Sequence, residues 1–486
     1  METGRIPDAL KNGRIIPIHK GGSRLDPQNY RPITLTSHIT KIFERIIVKQ
    51  LEMHLTCKDL YNCGQHGFRA GRSCLSQLLD HHQKIISMLQ NGGAADVIYL
   101  DFAKAFDKVD HVILIRKLRS LGISGKILQW IWNFLTNRSF IVTAEGSRSK
   151  SSKVKSGVPQ GTVLGPILFL IFISDIDSDT TDAKVSSFAD DTRLTLQIQD
   201  DADTVKLQSD LEKIYIWAEA NNMQFNEQKF EHVHYGRQCS ASNYKSPDGS
   251  HIETCALVKD LGVWMSDRCD FRDHISKTIS KAKKITGWAM RSFKTRKKLP
   301  MLTLFRALII PIMEYCCQLW NPAQIGLIRQ LESIQRTFTY WIDGMRDKDY
   351  WERLEALNLY SLQRRRERYE IIYTWKILNN HVPAPDQELE TIISARRGLQ
   401  LRVPTLQPLH SRCPTWINTA KDESLAVRGP RVFNCIPREL REYRGSPDTF
   451  KTRLDKFLRE IPDKPALVNY QSMNHNRLTE LVHTRA

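Results

Sequence analysis

Three acidic positions carry the chemistry open to this sequence. Asp190 and Asp191 stand together inside KVSSFADDTRLTLQI (184–198), between two short runs that read as paired strands, with Leu194, Leu196 and Ile198 alternating on the second. Adjacent carboxylates repel, so a doublet fixed at a strand turn is costly unless a cation sits there. Upstream, in VIYLDFAKAFDKVDH (97–111), an apolar run from Val97 to Leu100 ends in Asp101 and passes into a helix. That carboxylate projects from a strand end, where it can reach a metal without being buried unpaired. Carboxylates so placed suit nucleotidyl transfer, in which two metal ions about 3.5–4 Å apart activate a hydroxyl and stabilise a departing pyrophosphate. Alone, Asp-Asp is a common turn dipeptide. Its meaning comes from the other stretches.

The elements that must position these groups can be read around them. In SGVPQGTVLGPILF (156–169), Gly157, Pro159 and Gly161 bracket Gln160 in a turn that feeds an apolar helix from Val163 to Ile173, presenting an amide at a helix entrance. Residues 110–121 read as a helix that Asp110 caps, with Leu114, Ile115, Leu118 and Leu121 buried. Ser124 caps the next, through Leu135, and a hairpin follows that turns near Gly146. Gly13 to Lys20 reads as a strand, and Thr40 to Leu55 as an amphipathic helix packed on Ile42, Phe43, Ile46, Ile47 and Leu51. Residues 203–222 form another helix. A strand-end Asp, a Pro-Gln-Gly turn and an Asp-Asp hairpin, in that order, outline a polymerase palm, and the fold class is α+β with an antiparallel core sheet.

From residue 270 onward Lys277, Lys281, Lys283, Lys284, Arg291, Lys294, Arg296, Lys297 and Lys298 recur on a helical pattern whose apolar side holds Ile275, Ile279, Ile285 and Trp288. Such a helix suits a nucleic-acid duplex or a solvated face equally. Leu302 to Leu319 reads as a long helix interrupted by Pro311, and Ser361 to Leu378 as another, opened by Arg364, Arg365 and Arg366. Both this cluster and Arg296-Lys297-Lys298 read as nucleic-acid contacts. Beyond Pro383 the chain is loosely patterned, with a last helix from Phe450 to Ile461, and no activity is assigned to it.

With NYRPITLTS (29–37), KIFERII (41–47), QHGFRAGRS (65–73), WAEANNMQFNEQK (217–229), KDLGVWMS (259–266), LIIPIMEYCCQLWNP (308–322) and LQRRRERYE (362–370) added, the chain resembles the reverse transcriptase of non-LTR, LINE-type retrotransposons of the jockey-like kind. The resemblance covers residues 1 to about 460. It implies a right-hand polymerase fold: fingers over 1–95, truncated at their start; a palm over 96–268 with an inserted fingers segment; a helical basic thumb over 269–380; and an additional, partly irregular C-terminal helical region over 381–486. It further implies an RNA template, a DNA primer or target, deoxyribonucleoside triphosphates, and two Mg²⁺ ions, or Mn²⁺, held by Asp101, Asp190, the Phe102 carbonyl and Asp191. Lys20, Arg31 and Arg69 would meet the triphosphate. Phe106 would exclude a 2′-hydroxyl, Gln160 and Gly161 would hold the nucleotide, Lys229 would protonate the pyrophosphate, and Leu261, Gly262 and Val263 would grip the primer end.

Composition bounds the rest. At 486 residues with 41% apolar content there is material for two to four structural units, and a formal charge of +18 is the footprint of a phosphate-backbone partner. Ten cysteines without a CxxC pair read as reduced, mostly buried thiols. The longest apolar run is too short for a bilayer and no signal region opens the chain, so an intracellular protein of the nucleus or cytoplasm, without a membrane partner, is expected. A catalytically silent nucleic-acid-binding relic and an RNA-dependent RNA polymerase remain as alternatives, Phe106 arguing against the second.

Overall fold

The computed structural model describes residues 4–237, 243–385, 389–395, 397–405, 413–464 and 476–483. It divides into two compact units: Met1–Ala70, Asp96–His232 and Ser240–Thr254 in the first, Gly71–Ala95, Val233–Cys239 and Cys255–Ala486 in the second.

The first unit holds most of two sheets and a helical core. The central sheet runs Glu253–Thr254, Glu231–Tyr235, Ala94–Leu100, Asp191–Ile198, Lys184–Phe188. In Ala94–Leu100 only Tyr99 is not fully buried, which is why this strand is a continuous apolar run with no alternation. The Lys184–Phe188 and Asp191–Ile198 strands pair antiparallel as expected, but Glu253–Thr254 joins Glu231–Tyr235 in parallel, so the sheet is mixed. In the second sheet Asn12–His19 pairs antiparallel with Tyr30–Leu35 and parallel with Ser139–Ala144, which turns back near Gly146 onto Ser147–Arg148.

Helix His38–Cys57 departs from expectation. It buries Thr40, Glu44, Ile47, Leu51 and Leu55, and leaves Ile39, Ile42, Phe43 and Ile46 in water. The helix has two apolar faces, and the buried one is chosen by Glu44. Its fully buried carboxylate accepts hydrogen bonds from Val163 N (2.6 Å) and Leu164 N (2.9 Å) at the entrance of helix Gly165–Phe172. Burial pushes this carboxyl up, while those two N–H groups and the Arg138 guanidinium act against the rise. A carboxylate at a helix entrance satisfies donors that the helix cannot.

Asp110 caps helix His111–Ser120 through Val112 N and Ile113 N. Ser124, expected to cap helix Gly125–Leu135, stands at its N-terminus but makes no side-chain cap bond. Helix Asp201–Ala220 buries Leu207, Leu211, Ile214 and Trp217, and with them Asp210. Asp210 accepts from the backbone N–H groups of Thr181 (3.0 Å), Asp182 (2.8 Å) and Ala183 (2.7 Å) and from Lys213 Nζ (2.8 Å), pinning the turn that leads into Lys184–Phe188. Burial opposes its charge, but these donors outweigh it and hold the carboxyl down at about 2. A depressed carboxyl stabilises the fold above the ordinary carboxylate range and loses that contribution as the pH falls through its folded value. Asp210→Asn is therefore expected to cost about 2 kcal/mol at pH 6. In thermal melts the gap to the parent should close between about pH 4 and pH 2.

The second unit corrects several expectations. Helix Leu362–Leu378, with Ser361 as its cap, is buried nearly all round. Arg364 and Arg366 are at most 1% exposed. Arg364 donates to the Pro462 carbonyl, Arg366 to Asn321 Oδ1, and Arg365 is paired with Glu314. Arg364 and Arg366 are interior and present nothing to nucleic acid, and Arg365, only partly exposed, is engaged by Glu314. Arg296 likewise donates to the carbonyls of Met290, Phe293 and Thr295, and Lys298 to that of Ala356, which leaves Lys297 of that cluster.

Pro311 lies in the first turn of helix Ile310–Glu314, after a π-helical turn at Phe305–Ile309. The larger break follows at Cys316, whose φ of +51° stops the helix before Cys317–Trp320. Beyond Pro383 there is more order than the sequence pattern offers. A hairpin (Thr391–Ser394 with Gly398–Leu401) and helices Ile417–Asp422, Leu425–Asn434 and Pro447–Glu460 are present, and Phe433, Phe450 and Leu454 pack with Trp375. Among the described cysteines, all free thiols, Cys269, Cys316, Cys317 and Cys413 are buried while Cys57 and Cys63 are exposed. Among the described residues no helix is long and apolar enough to cross a membrane.

Candidate active site

Lys184–Phe188 and Asp191–Ile198 are joined by a two-residue turn, Ala189-Asp190, with Phe188 opposite Asp191. Tight hairpins need a positive φ, normally supplied by glycine; here Ala189 takes it, at +57°. A side chain in that region costs about 1–2 kcal/mol. The strain is held by Gln65. Its Oε1 accepts from Ala189 N (2.9 Å) and Gly67 N (2.8 Å), and its Nε2 donates to the Ala189 carbonyl (3.4 Å).

The backbone around Gln65 is laced to the same hairpin, Ser187 N donating to Gly64 O and His66 N to Ser187 O, both at 2.9 Å. Such an approach requires glycine. A Cβ on Gly64 would stand 2.4 Å from the Val185 carbonyl oxygen, and one on Gly67 2.5 Å from Ala189 N. Sequence reading passed over Gln65 in favour of Arg69. The available signal was the pair of glycines at 64 and 67 bracketing it.

Asp101 follows Ala94–Leu100 and is half-buried. Asn226 N donates to its carbonyl (2.7 Å) and Ala103 N to the Gln224 carbonyl (2.8 Å), so Phe102 and Phe225 form a bridge whose own backbone groups point away from each other. The Phe102 ring is buried on Phe225, with centroids 4.4 Å apart, and its carbonyl faces the other side of the strand. Lys229, at the end of the short Glu227–Lys229 turn, holds Nζ 2.7 Å from Asp101 Oδ2.

Burial pushes the Asp190 carboxyl above the usual range and the Asp101 charge adds to it, with Arg31 and Lys229 pulling the other way. The structure thus brings together Asp101, Asp190, Arg31 and Lys229. Asp191 is exposed at the start of its strand. Lys20 is exposed at its turn, and Arg69 directs its guanidinium to the carbonyls of Asn62 (2.9 Å) and Gln65 (3.3 Å) and over the Tyr61 ring. Neither is among the charges acting most strongly on Asp190.

Phe106 and Gln160 lie on segments that are tied to each other. Val158 N donates to the Phe106 carbonyl (2.8 Å), and Gly157, with φ of +90°, lies so close to Asp107 that a Cβ would meet its carbonyl oxygen at 2.7 Å. The Phe106 ring stacks on Phe169 (centroids 4.4 Å, interplanar angle 16°) and meets Phe68 edge-on. Gln160 Nε2 donates to Asp107 Oδ1 (3.2 Å), and its carbonyl accepts from Thr34 N (2.7 Å) on the strand that carries Arg31. Gly161, at φ +93°, packs against Ile33 and Thr34 of that strand.

In the second unit, Leu261 and Gly262 form the turn between Leu257–Asp260 and Val263–Ser266, both at positive φ, with Val263 buried. Tyr315 Oη donates to the Leu261 carbonyl at 2.8 Å.

Among the described residues no group of three or more His, Cys, Asp or Glu side chains could hold a metal by itself. A cation here would rest on two carboxylates and complete its shell with carbonyl, water and substrate oxygens, as Mg²⁺ commonly does. The site fits one electrostatically: Asp190 is uneasy as an anion, and an ammonium already lies against Asp101.

Residues 18–279, more than half of the chain, match the family described as "Reverse transcriptase (RNA-dependent DNA polymerase)". The chain belongs to the reverse transcriptase family. The probable RNA-directed DNA polymerase from transposon X-element of Drosophila melanogaster is 28% identical to it over 70% of the chain and 38% of that protein. The RNA-directed DNA polymerase from mobile element jockey of the same organism is 29% identical over 72% of the chain and 40% of that protein. The resemblance to jockey-like reverse transcriptases read from the motifs is borne out, and the chain spans about two fifths of the length of these relatives. Among solved structures, apo telomerase from Candida Tropicalis is similar over 98% of this chain and 69% of that one, at 11% identity and a TM-score of 0.45.

Proposed function

We propose that the chain is an RNA-directed DNA polymerase that extends a DNA 3′-hydroxyl on an RNA template with deoxyribonucleoside triphosphates. The observation that carries this is the convergence of Asp101 and Asp190 with Arg31 and Lys229 in a reverse transcriptase chain. Asp101 and Asp190, with the Phe102 carbonyl and Asp191 beside them, would hold Mg²⁺, which lowers the pKa of the attacking hydroxyl and takes up charge at the triphosphate. Arg31, with Lys20 at the neighbouring turn, binds phosphate oxygens. Phe106 sits under the sugar and leaves no room for a 2′-hydroxyl, and Gln160 and Gly161 shape the floor beside it. Lys229 carries the proton that a departing pyrophosphate oxygen takes up. Fingers, palm and thumb correspond on this reading to 1–95, 96–268 and 269–380, with Leu261 to Val263 at the primer end.

Primer extension on poly(rA)/oligo(dT) with dTTP and Mg²⁺ tests the proposal. Incorporation of dTTP with little of rUTP is expected. Tight binding of the primer-template without extension would reject it.

Gln65 gives a finer test. If its amide holds the Ala189 turn under Asp190, Gln65→Ala lowers kcat by about 10- to 100-fold with little change in the KM for primer-template. An unchanged kcat would show that the turn keeps its shape without it.

A further inference from the structure

Helix Arg272–Ser292 buries Ile275, Ile279, Ala282, Thr286 and Ala289 at helical spacing. The opposite stripe, also in steps of three and four, reads Lys277, Lys281, Lys284, Trp288, Arg291, and all five are exposed. Among the described residues none of these cations is ion-paired with a carboxylate, and Lys277 instead sets Nζ 3.2 Å from the Trp264 ring centroid. Trp288, expected on the buried side, leaves 47% of its surface in water. Phe293, just past the helix end, leaves 39% and meets Trp288 edge to face with centroids 6.1 Å apart. Phe293 is not on a loose end, because Arg296 ties its carbonyl and that of Met290 together.

Cations alone would suit a duplex, which shows a protein its phosphates and keeps its base faces stacked inside. Rings set among the cations gain nothing from that partner. An unpaired strand offers both phosphates and free base faces, and a base stacked on an aromatic side chain tightens binding by about tenfold or more. We infer that this stripe binds an unpaired nucleic-acid strand, Trp288 and Phe293 stacking bases while Lys281, Lys284 and Arg291 hold the phosphates between them. Lys281 to Arg291 spans roughly 15 Å of helix, room for a few nucleotides. The stripe lies within the 269–380 segment read as a thumb and gives its cations an unpaired strand in place of a duplex, and it does not depend on the polymerase chemistry.

The test is fluorescence anisotropy with the full chain, no nucleotide added. The two probes are an unstructured RNA of about 12 nucleotides and an RNA–DNA duplex of the same length. Trp288→Ala is expected to weaken binding of the single strand about tenfold and leave duplex binding within about twofold, with Trp288→Phe close to the parent. Phe293→Ala repeats the test at an independent exposed ring. Replacing Lys281, Lys284 and Arg291 by Ala should lower the slope of log affinity against log salt for the single strand by about 2. Trp288→Ala and Phe293→Ala chains that bind the single strand like the parent, or lose strand and duplex alike, would overturn the inference.

Discussion

Asp190→Asn is expected to abolish primer extension, by at least about a thousandfold, while raising the melting temperature by roughly a few degrees. The two effects have one cause. Burial and the neighbouring Asp101 push the Asp190 carboxyl up, and Arg31 and Lys229 offset only part of this. A carboxyl raised on folding disfavours the folded state wherever it is ionised, so its cost is absent at low pH and grows as the pH passes the ordinary carboxylate range. An amide removes that cost at neutral pH, and parent and variant should converge in melts near pH 3. Mg²⁺ supplies a readout independent of activity. At ten times its dissociation constant, a bound ion stabilises the parent by about 1.4 kcal/mol, and the variant should gain much less. A parent whose melting temperature ignored Mg²⁺ would argue that these carboxylates hold no cation.

The second large effect is expected at Phe106. Phe106→Val should raise the ratio of ribonucleotide to deoxyribonucleotide incorporation, as kcat/KM, by about 10- to 200-fold, the range one small group in a pocket commands. The ring is fixed between a stacked Phe169 and an edge-on Phe68, so it cannot swing aside for a hydroxyl. Truncation opens space above Phe169 while leaving the Gln160 turn attached through Val158 N and the Phe106 carbonyl, a backbone bond. Some stability is lost with the ring, about 1–3 kcal/mol for a half-buried aromatic. If selectivity stayed as it was, sugar discrimination would have to come from another group.

What was legible in the sequence was what local pattern encodes. Asp101 at the end of an apolar run, Asp190 in a turn between alternating strands, the Asp110 cap, and the Gly157 and Gly161 turns each announce themselves within a few residues. Failures came where a long-range partner decides. Helix His38–Cys57 offers Ile39, Ile42, Phe43 and Ile46 on one side and Ile47, Leu51 and Leu55 on another, and hydrophobicity cannot rank them. Glu44, reaching Val163 and Leu164, does. Arg364 and Arg366 look like surface cations until their distant partners, Pro462 and Asn321, are known. Trp288 is a different case: two and a half helical turns from Ile279, it stands opposite the buried stripe, so its exposure was legible in the spacing and its placement on the apolar side was a misreading.

The clamp on Ala189 bears on when the protein becomes able to work. Gln65 and Ala189 are 124 positions apart, and contacts of such separation form late and slowly because a long loop must close first. Of the strands that bear the acids, only Lys184–Phe188 and Asp191–Ile198 can pair locally, whereas Ala94–Leu100, which leads to Asp101, joins Asp191–Ile198 across a separation of the same order as the clamp, so a refolding chain should form the Asp190 hairpin ahead of its activity. A fragment beginning after residue 70 would contain Asp101, Asp190, Gln160 and Lys229 and still lack the means to hold the turn. Competence in this molecule rests on contacts that the Asp190 hairpin cannot make by itself.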